Sequence, residues 1–253
     1  MTRPASTGSI RLELRVLGQP VVVESPRPPD PARLDQLLPL LRAIDNAAVD
    51  AAVRHAEAGG ETVTCRKGCS ACCRAQPVPV TPPEAYALLR LVEELPEPRR
   101  TEVKERFADR VRQLTDAGLT DSFLHRDPAA TPADARTLAE RYFSLGLVCP
   151  FLDDDACSIY PDRPFVCRQY LVTSPVELCS DPMNTPVKRV KMPIAAAGAT
   201  LTVAEERIGT PQHTVPLTLA LQYAEQHRAE LERTYEASGL AKRWVSVMIA
   251  GGE

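Results

Sequence analysis

Four cysteines in nine residues, Cys65, Cys69, Cys72 and Cys73, constrain this chain more than any other feature, because thiols this dense end up ligated, oxidised or actively kept reduced. Four more, Cys149, Cys157, Cys167 and Cys179, follow downstream. The stretch from Met1 to Ser9 is polar and lacks the apolar run of an export signal, so the sequence predicts a cytoplasmic protein. In such a reducing compartment disulfides are rare, and clustered thiols hold metal or do redox work. With 253 residues, 44% of them hydrophobic, the chain can bury a core without covalent staples. The cysteines are then free for chemistry.

Composition removes several other classes. A formal charge of -3 and a pI near 5.9 exclude a polybasic binder of nucleic acid or of membrane surfaces. An aromatic content of 5% argues against a base-stacking platform. The longest uncharged stretch, Met192 to Ala204, contains Pro193 and Gly198 and is far shorter than the roughly 20 apolar residues of a membrane-spanning helix. The partners expected are therefore metal ions, with no nucleic acid and no membrane; no protein partner can be named.

The pattern along the chain is mainly helical. Ile10, Leu12, Leu14 and Val16 alternate with charged residues, Gly18-Gln19 can turn, and Val21 to Val23 follows, which reads as a β-hairpin. Ser25 to Pro29 is an extended linker. Asp30-Pro31 offers a helix start, and Leu34, Leu37, Leu38, Leu41, Ile44 and Ala48 keep helical spacing to about Ala58, with Pro39 expected to kink or restart the helix. Thr81-Pro82-Pro83-Glu84 has capping-box spacing ahead of a second helix, and Glu97 to Ala117 reads as another, ended by Gly118. Thr131-Pro132 opens one through about Ser144. From Cys149 to Asp181 the pattern turns irregular, as in a region organised by ligands. Thr210-Pro211 reads as the start of a long helix to about Ala237, with a short last one from Leu240 to Ile249 whose Trp244, Val245, Val247 and Ile249 form a docking face. The expectation is a mainly α, helical single domain with a small N-terminal β-hairpin and a cysteine-rich metal-binding region: 1-29 hairpin and linker, 30-185 cysteine-cluster domain, 186-253 C-terminal helices packed on it.

If Cys65 to Cys73 is helical, about 100° per residue puts all four thiols within one arc of roughly 100°. Cys72 and Cys73 diverge too far, on a helix or a strand, to chelate one ion easily; the expectation is that they serve different metals or that one bridges. Asp153, Asp154 and Asp155 suit the tip of a hairpin with Cys149 and Cys157 at its bases, and read as a solvated turn in preference to a carboxylate metal site. Arg163 and Arg168 flank Cys167, where guanidinium groups would stabilise thiolates and offset cluster charge, making them candidate cofactor-binding residues; surface salt bridges are the competing reading. Eight thiolates divide into two tetrahedral zinc sites, or could hold an iron–sulfur cluster with ligands left over.

Cys65 to Cys73, followed by Cys149-Pro150-Phe151-Leu152, Cys157-Ser158-Ile159-Tyr160, Arg163-Pro164 and Cys167-Arg168, resembles the CxxCxxCC cysteine-cluster (YkgJ-like) family over about residues 60 to 185. The resemblance implies zinc or iron chelation, and family members are sometimes labelled iron–sulfur proteins; it implies no settled reaction. The chain departs from the motif in having three residues between Cys65 and Cys69.

Enzyme readings compete. Cys65-x3-Cys69-x2-Cys72 has the spacing of a radical-SAM cluster loop, but the downstream pattern is helical where strand and helix units should alternate, and Ala71 stands where an aromatic is usual. Flagellin lysine methylases carry a related cysteine motif, which would make the cluster part of a protein-modifying enzyme; nothing outside the cysteines supports a methyl-donor site. A thioredoxin-like role for Cys69 and Cys72 leaves six cysteines unexplained. His55, His125, His213 and His227 lie in no recognisable motif and read as surface or core-edge residues.

Overall fold

Pro39 sets where the first long helix begins. In a computed structural model, which describes residues 8–125, 127 and 129–250, a short 3₁₀ turn over Leu34–Leu37 leads into α1 (Leu38–Ala58), with Pro39 in its first turn, where a missing N–H costs nothing. The restart expected at Pro39 is what the structure shows. Helix does not begin at Asp30-Pro31, because Ala32 gives both its backbone groups to a bridge with Tyr235, at 2.9 and 2.8 Å, and Asp30 accepts from the Ala237 N–H.

Ahead of α1, strands β1 (Ser9–Val16) and β2 (Gln19–Pro26) pair antiparallel from Ser9 with Pro26 to Val16 with Gln19, the hairpin expected from alternation. Val16 and Val23 turn inward, and β2 packs on α1. The polar residues Met1–Thr7, on which the absence of an export signal was read, lie outside the described residues. After α1 the chain runs irregularly past Cys65 to Cys73 into β3 (Pro79–Val80) and then α2 (Pro82–Glu94), α3 (Arg99–Asp116), α4 (Thr120–Leu124) and α5 (Pro132–Ser144). A small hairpin, β4 (Leu152–Asp153) with β5 (Ala156–Cys157), precedes α6 (Phe165–Gln169). The C-terminal part holds α7 (Ala196–Ile208), β6 (Val215–Pro216), α8 (Ala220–Gln226), α9 (Arg228–Leu231) and α10 (Ala237–Ala250). The fold is mainly α with an N-terminal hairpin, and among the described residues no helix is long and apolar enough to cross a membrane.

The C-terminal part corrects the sequence reading. No long helix runs from Thr210 to Ala237: Gly209, at φ +85°, ends α7, and residues 215–216 form an antiparallel pair with β3, so that Leu217 donates to the Val78 carbonyl at 2.8 Å. Pro216, lacking an N–H, suits this short edge and bars a helix through it. The uncharged, alanine-rich stretch after Pro193 is instead α7, whose small side chains let it lie close to α10.

The buried residues form one contiguous cluster from Val16 to Met248, with Trp244, Tyr86, Tyr142, Phe151 and Phe165 as its largest members. Burial of this size is the dominant favourable term in such a fold. Trp244, fully buried, also donates from Nε1 to Thr200 Oγ1 at 3.2 Å, joining α10 to α7. Trp244→Ala is expected to lower stability by about 3–5 kcal/mol, seen as a fall in the urea midpoint; a change below about 1 kcal/mol would mean that α10 is not part of the cooperative core.

Candidate metal centre

Cys65 is laid beside the chain that follows Cys167. Thr64 donates from its backbone to Val172 O (3.0 Å) and from Oγ1 to Ser174 O (2.6 Å), while the Val172 N–H donates to Cys65 Sγ at 3.3 Å. The next residues turn: Gly68 sits at φ +88° and the Cys69 N–H closes on the Arg66 carbonyl at 2.9 Å. A 3₁₀ turn over Ala71–Arg74 then carries Cys72 and Cys73. The segment is therefore not an α-helix, and the expected single thiol arc does not exist. The three-residue spacing between Cys65 and Cys69 accommodates the left-handed turn at Gly68.

The second group is tied directly to the first. The Cys149 N–H donates to the Cys73 carbonyl at 2.7 Å. Cys157 ends the β4–β5 hairpin, opposite Leu152, with Asp154 and Asp155 at positive φ in its turn, a conformation Asp tolerates. This is the hairpin expected between Cys149 and Cys157, but its tip is more than a solvated turn. Asp155 accepts from Ser70 Oγ (3.0 Å) and pairs with Arg74, and Asp153 pairs with Arg99 and with Arg106 (2.6 Å). The carboxylates lock the hairpin to the Cys69–Cys73 turn and to α3.

Cys167 rides on α6, whose start is fixed by Glu84. This fully buried carboxylate accepts Thr81 N and Oγ1 on one oxygen (3.0 and 2.7 Å) and Phe165 N on the other (2.7 Å), so the capping box of α2 also docks α6. Cys179 sits in a 3₁₀ turn over Val176–Ser180, its carbonyl accepting from Gln76 Nε2 at 3.1 Å, three residues beyond Cys73.

All eight thiols are free; Cys179 is buried and the others are partly so. Burial pushes Cys149 up to about 12 and Cys179 to about 11, and raises Cys65, Cys157 and Cys167 as well. In each of these five, the nearby Cys72 thiol adds to the rise. Cys72 itself is pushed up by a hydrogen bond with the Cys73 thiol and then by burial. Cys72 thus stays a neutral thiol, near members of both groups: Cys65 and Cys179 on one side, Cys149, Cys157 and Cys167 on the other. Among the described residues, no three His, Cys, Asp or Glu side chains stand at metal-ligand spacing. The thiols are gathered but not closed on a point. As donors, deprotonated thiolates suit zinc and iron.

Neither Arg163 nor Arg168 makes a salt bridge among the described residues. Arg163 lies over the Tyr160 ring at 4.0 Å, leaves Nε buried without a partner, and its charge favours the thiolates of Cys65, Cys72 and Cys157. Arg168 is spent on the loop: Nε to Arg163 O (2.8 Å), Nη1 to Asn46 Oδ1 (2.7 Å) and Nη2 to Pro161 O. Burial, then Arg42 and Arg163 nearby, lowers Arg168 to about 10. Its guanidinium shapes the bend before Cys167 and adds positive charge near Cys157.

The partners of this loop come from α1 and were not singled out in the sequence. Arg42 pairs with Asp162 at 2.8 Å, Asp45 Oδ1 accepts from Gln169 Nε2 at 2.7 Å, and Asn46 takes Arg168. Arg42, Asp45 and Asn46 stand at i, i+3 and i+4, one polar stripe on a helix otherwise buried through Leu and Ala, and that stripe was the legible signal. The histidines lie apart in other surroundings: His55 and His125 are exposed, His213 approaches Leu124 O, and His227 stacks on Tyr223.

A mainly helical fold that gathers reduced thiols from three irregular segments defines a cysteine-cluster protein. Residues 64–186 match the CxxCxxCC family model, described as "Putative zinc- or iron-chelating domain". Comparisons with curated proteins and with solved structures found no match.

Asp45 gives a test of the α1 ledge. Burial raises it to about 7 from 3.8, and Oδ2 has no hydrogen-bond partner. A raised carboxyl contributes stability that is present below about pH 4 and is lost as pH climbs through about 7. Asp45→Asn keeps an acceptor for Gln169 and removes that loss. The variant should match the parent at pH 4 and exceed it by on the order of 3 kcal/mol at pH 8 in urea unfolding; equal stabilities at both pH values would contradict a buried acid here.

Proposed function

We propose that this protein chelates zinc or iron through its cysteine thiolates, in two groups that meet at Cys72 and Cys73. Cys65, Cys69 and Cys179 form one group; Cys149, Cys157 and Cys167 form the other. The observation that carries this reading is the tie at the adjacent pair: the Cys149 N–H donates to the Cys73 carbonyl at 2.7 Å, and the Cys72 and Cys73 thiols are hydrogen-bonded to each other. Three thiols plus one from the adjacent pair complete four donors on each side, the number a tetrahedral thiolate site takes.

The chain's own residues perform three tasks in this reading. Gly68, Thr64 and the Asp155–Arg74 pair bring the thiol-bearing turns together. Arg163 supplies positive charge that favours thiolates against the repulsion of their neighbours. Burial favours the protonated form of Cys65, Cys149, Cys157, Cys167 and Cys179, so uptake through them must release protons and weaken as pH falls. A bound zinc ion would supply a closed, redox-silent centre, whereas iron, with or without inorganic sulfide, would supply one that can change oxidation state. Eight free thiols fit the reducing, cytoplasmic setting expected from sequence. No feature outside the thiols favours the enzyme readings.

Metal and acid-labile sulfide analysis of protein purified without oxygen tests the proposal: about two zinc ions per chain, or iron with sulfide, is expected. Protein that carries neither and takes up neither on titration would contradict it. Cys72→Ser and Cys73→Ser should each lose metal from a different group, since the two serve different groups; loss of one and the same ion from each would refute the division.

A further inference from the structure

Next to the second thiol group lies a cavity of about 540 Å³, within the size range of small-molecule sites. Val166, Gln169 and Tyr170 from the Cys167 helix and its exit form one wall; Arg189, Lys191 and Met192 form the other. The two walls are held in register by backbone bonds, Val190 N to Leu171 O and Thr173 N to Lys188 O, each 2.9 Å, with Val172 bridged to Arg189. The backbone that carries Arg189 and Lys191 is therefore fixed along the cavity, with both side chains exposed at its rim.

No carboxylate lines this cavity, and among the described residues neither Arg189 nor Lys191 makes an ion pair. Arg189 and Lys191 stand two residues apart on an extended segment, so both can reach one anion seated in the concavity. Arg offers a planar fork for a carboxylate or phosphate, and Lys a point charge beside it. Tyr170 adds a direct link to the thiols. Its hydroxyl hydrogen-bonds the Cys179 thiol and accepts from Gln76 Nε2 at 3.4 Å, while its ring faces Arg189, whose guanidinium carbon lies 5.9 Å from the ring centroid.

We propose that this cavity binds a small organic anion with a carboxylate or phosphate head, held by Arg189 and Lys191 against Tyr170. The anion would sit at the edge of the thiol centre, one side chain away from Cys179. Arg189 and Lys191 fall beyond the span matched by the family model, whereas Val166, Gln169 and Tyr170 lie within it. The location beside a metal rests on the chelation reading; the anion site itself does not.

Isothermal titration calorimetry with inorganic phosphate and with citrate, on the full chain as purified, tests the site, with metal content measured on the same samples. One probe should bind saturably with a Kd of about 1 mM or tighter, and whichever binds better identifies the head group. R189Q/K191Q should weaken that binding roughly tenfold or more with metal content unchanged. K191R should retain it, and R54Q, which removes an exposed cation elsewhere, should leave it unaltered. Absence of saturable binding to either probe would overturn the site, as would equal weakening in R54Q or none in R189Q/K191Q. Metal uptake without anion binding would overturn the site and leave chelation standing; anion binding by a chain that takes up no metal would do the reverse.

Discussion

The hydrogen bond from the Cys149 N–H to the Cys73 carbonyl, at 2.7 Å, is the tie on which the thiol centre depends. Four helices, α2 to α5, intervene in the chain between the two cysteine groups, and neither group has a regular element long enough to hold itself in place. The bond works because its neighbours are also fixed. Asp155 with Ser70 and Arg74 secures one flank, and Thr64 with Val172 and Ser174 secures the other. Backbone polar groups in irregular chain must find partners somewhere, and here those partners are the other thiol-bearing segments.

The surrounding helices convert ordinary helix chemistry into support for that tie. Glu84 begins as a capping residue of α2, and its second oxygen holds the first N–H of α6. Such a fully buried carboxylate is tolerated because three donors satisfy it. α1 contributes the polar ledge of Arg42, Asp45 and Asn46 under the bend that leads to Cys167. That ledge is less completely satisfied: Arg42 Nε, Asp45 Oδ2 and Arg163 Nε are all buried without partners. Unpaired polar atoms of this kind cost stability, and their concentration around one bend places the least settled part of the interior next to the thiols. Residues outside the matched span, Arg42, Asp45 and Asn46, thus hold the segment around Cys167.

Much of this was legible from residue order. The hairpin followed from strict alternation at Ile10 to Val16, the α2 start from Thr81 and Glu84, and the restart at Pro39 from the proline itself, because each is a local signal. Resemblance to the cysteine-cluster family was legible from spacing and residue type in the second group. The failures were of two physical kinds. Where a residue's partner is distant in sequence, local pattern misleads: Ala32 bridges Tyr235, and residues 215–216 pair with β3, so helices expected at Asp30 and Thr210 do not form there. Where one glycine takes positive φ, helical phase is lost, and Gly68 cancels the thiol arc that periodicity predicts between Cys65 and Cys73. The ledge on α1 was visible as a polar stripe but has no meaning until its tertiary partners are known.

Whether these thiols bind metal directly is best decided by X-ray absorption at the metal edge, on protein purified anaerobically. Thiolate chelation predicts a nearest shell of sulfur alone, at about 2.3 Å from the metal. A nearest shell dominated by nitrogen or oxygen at about 2.0–2.1 Å would contradict it and move the site away from the cysteines.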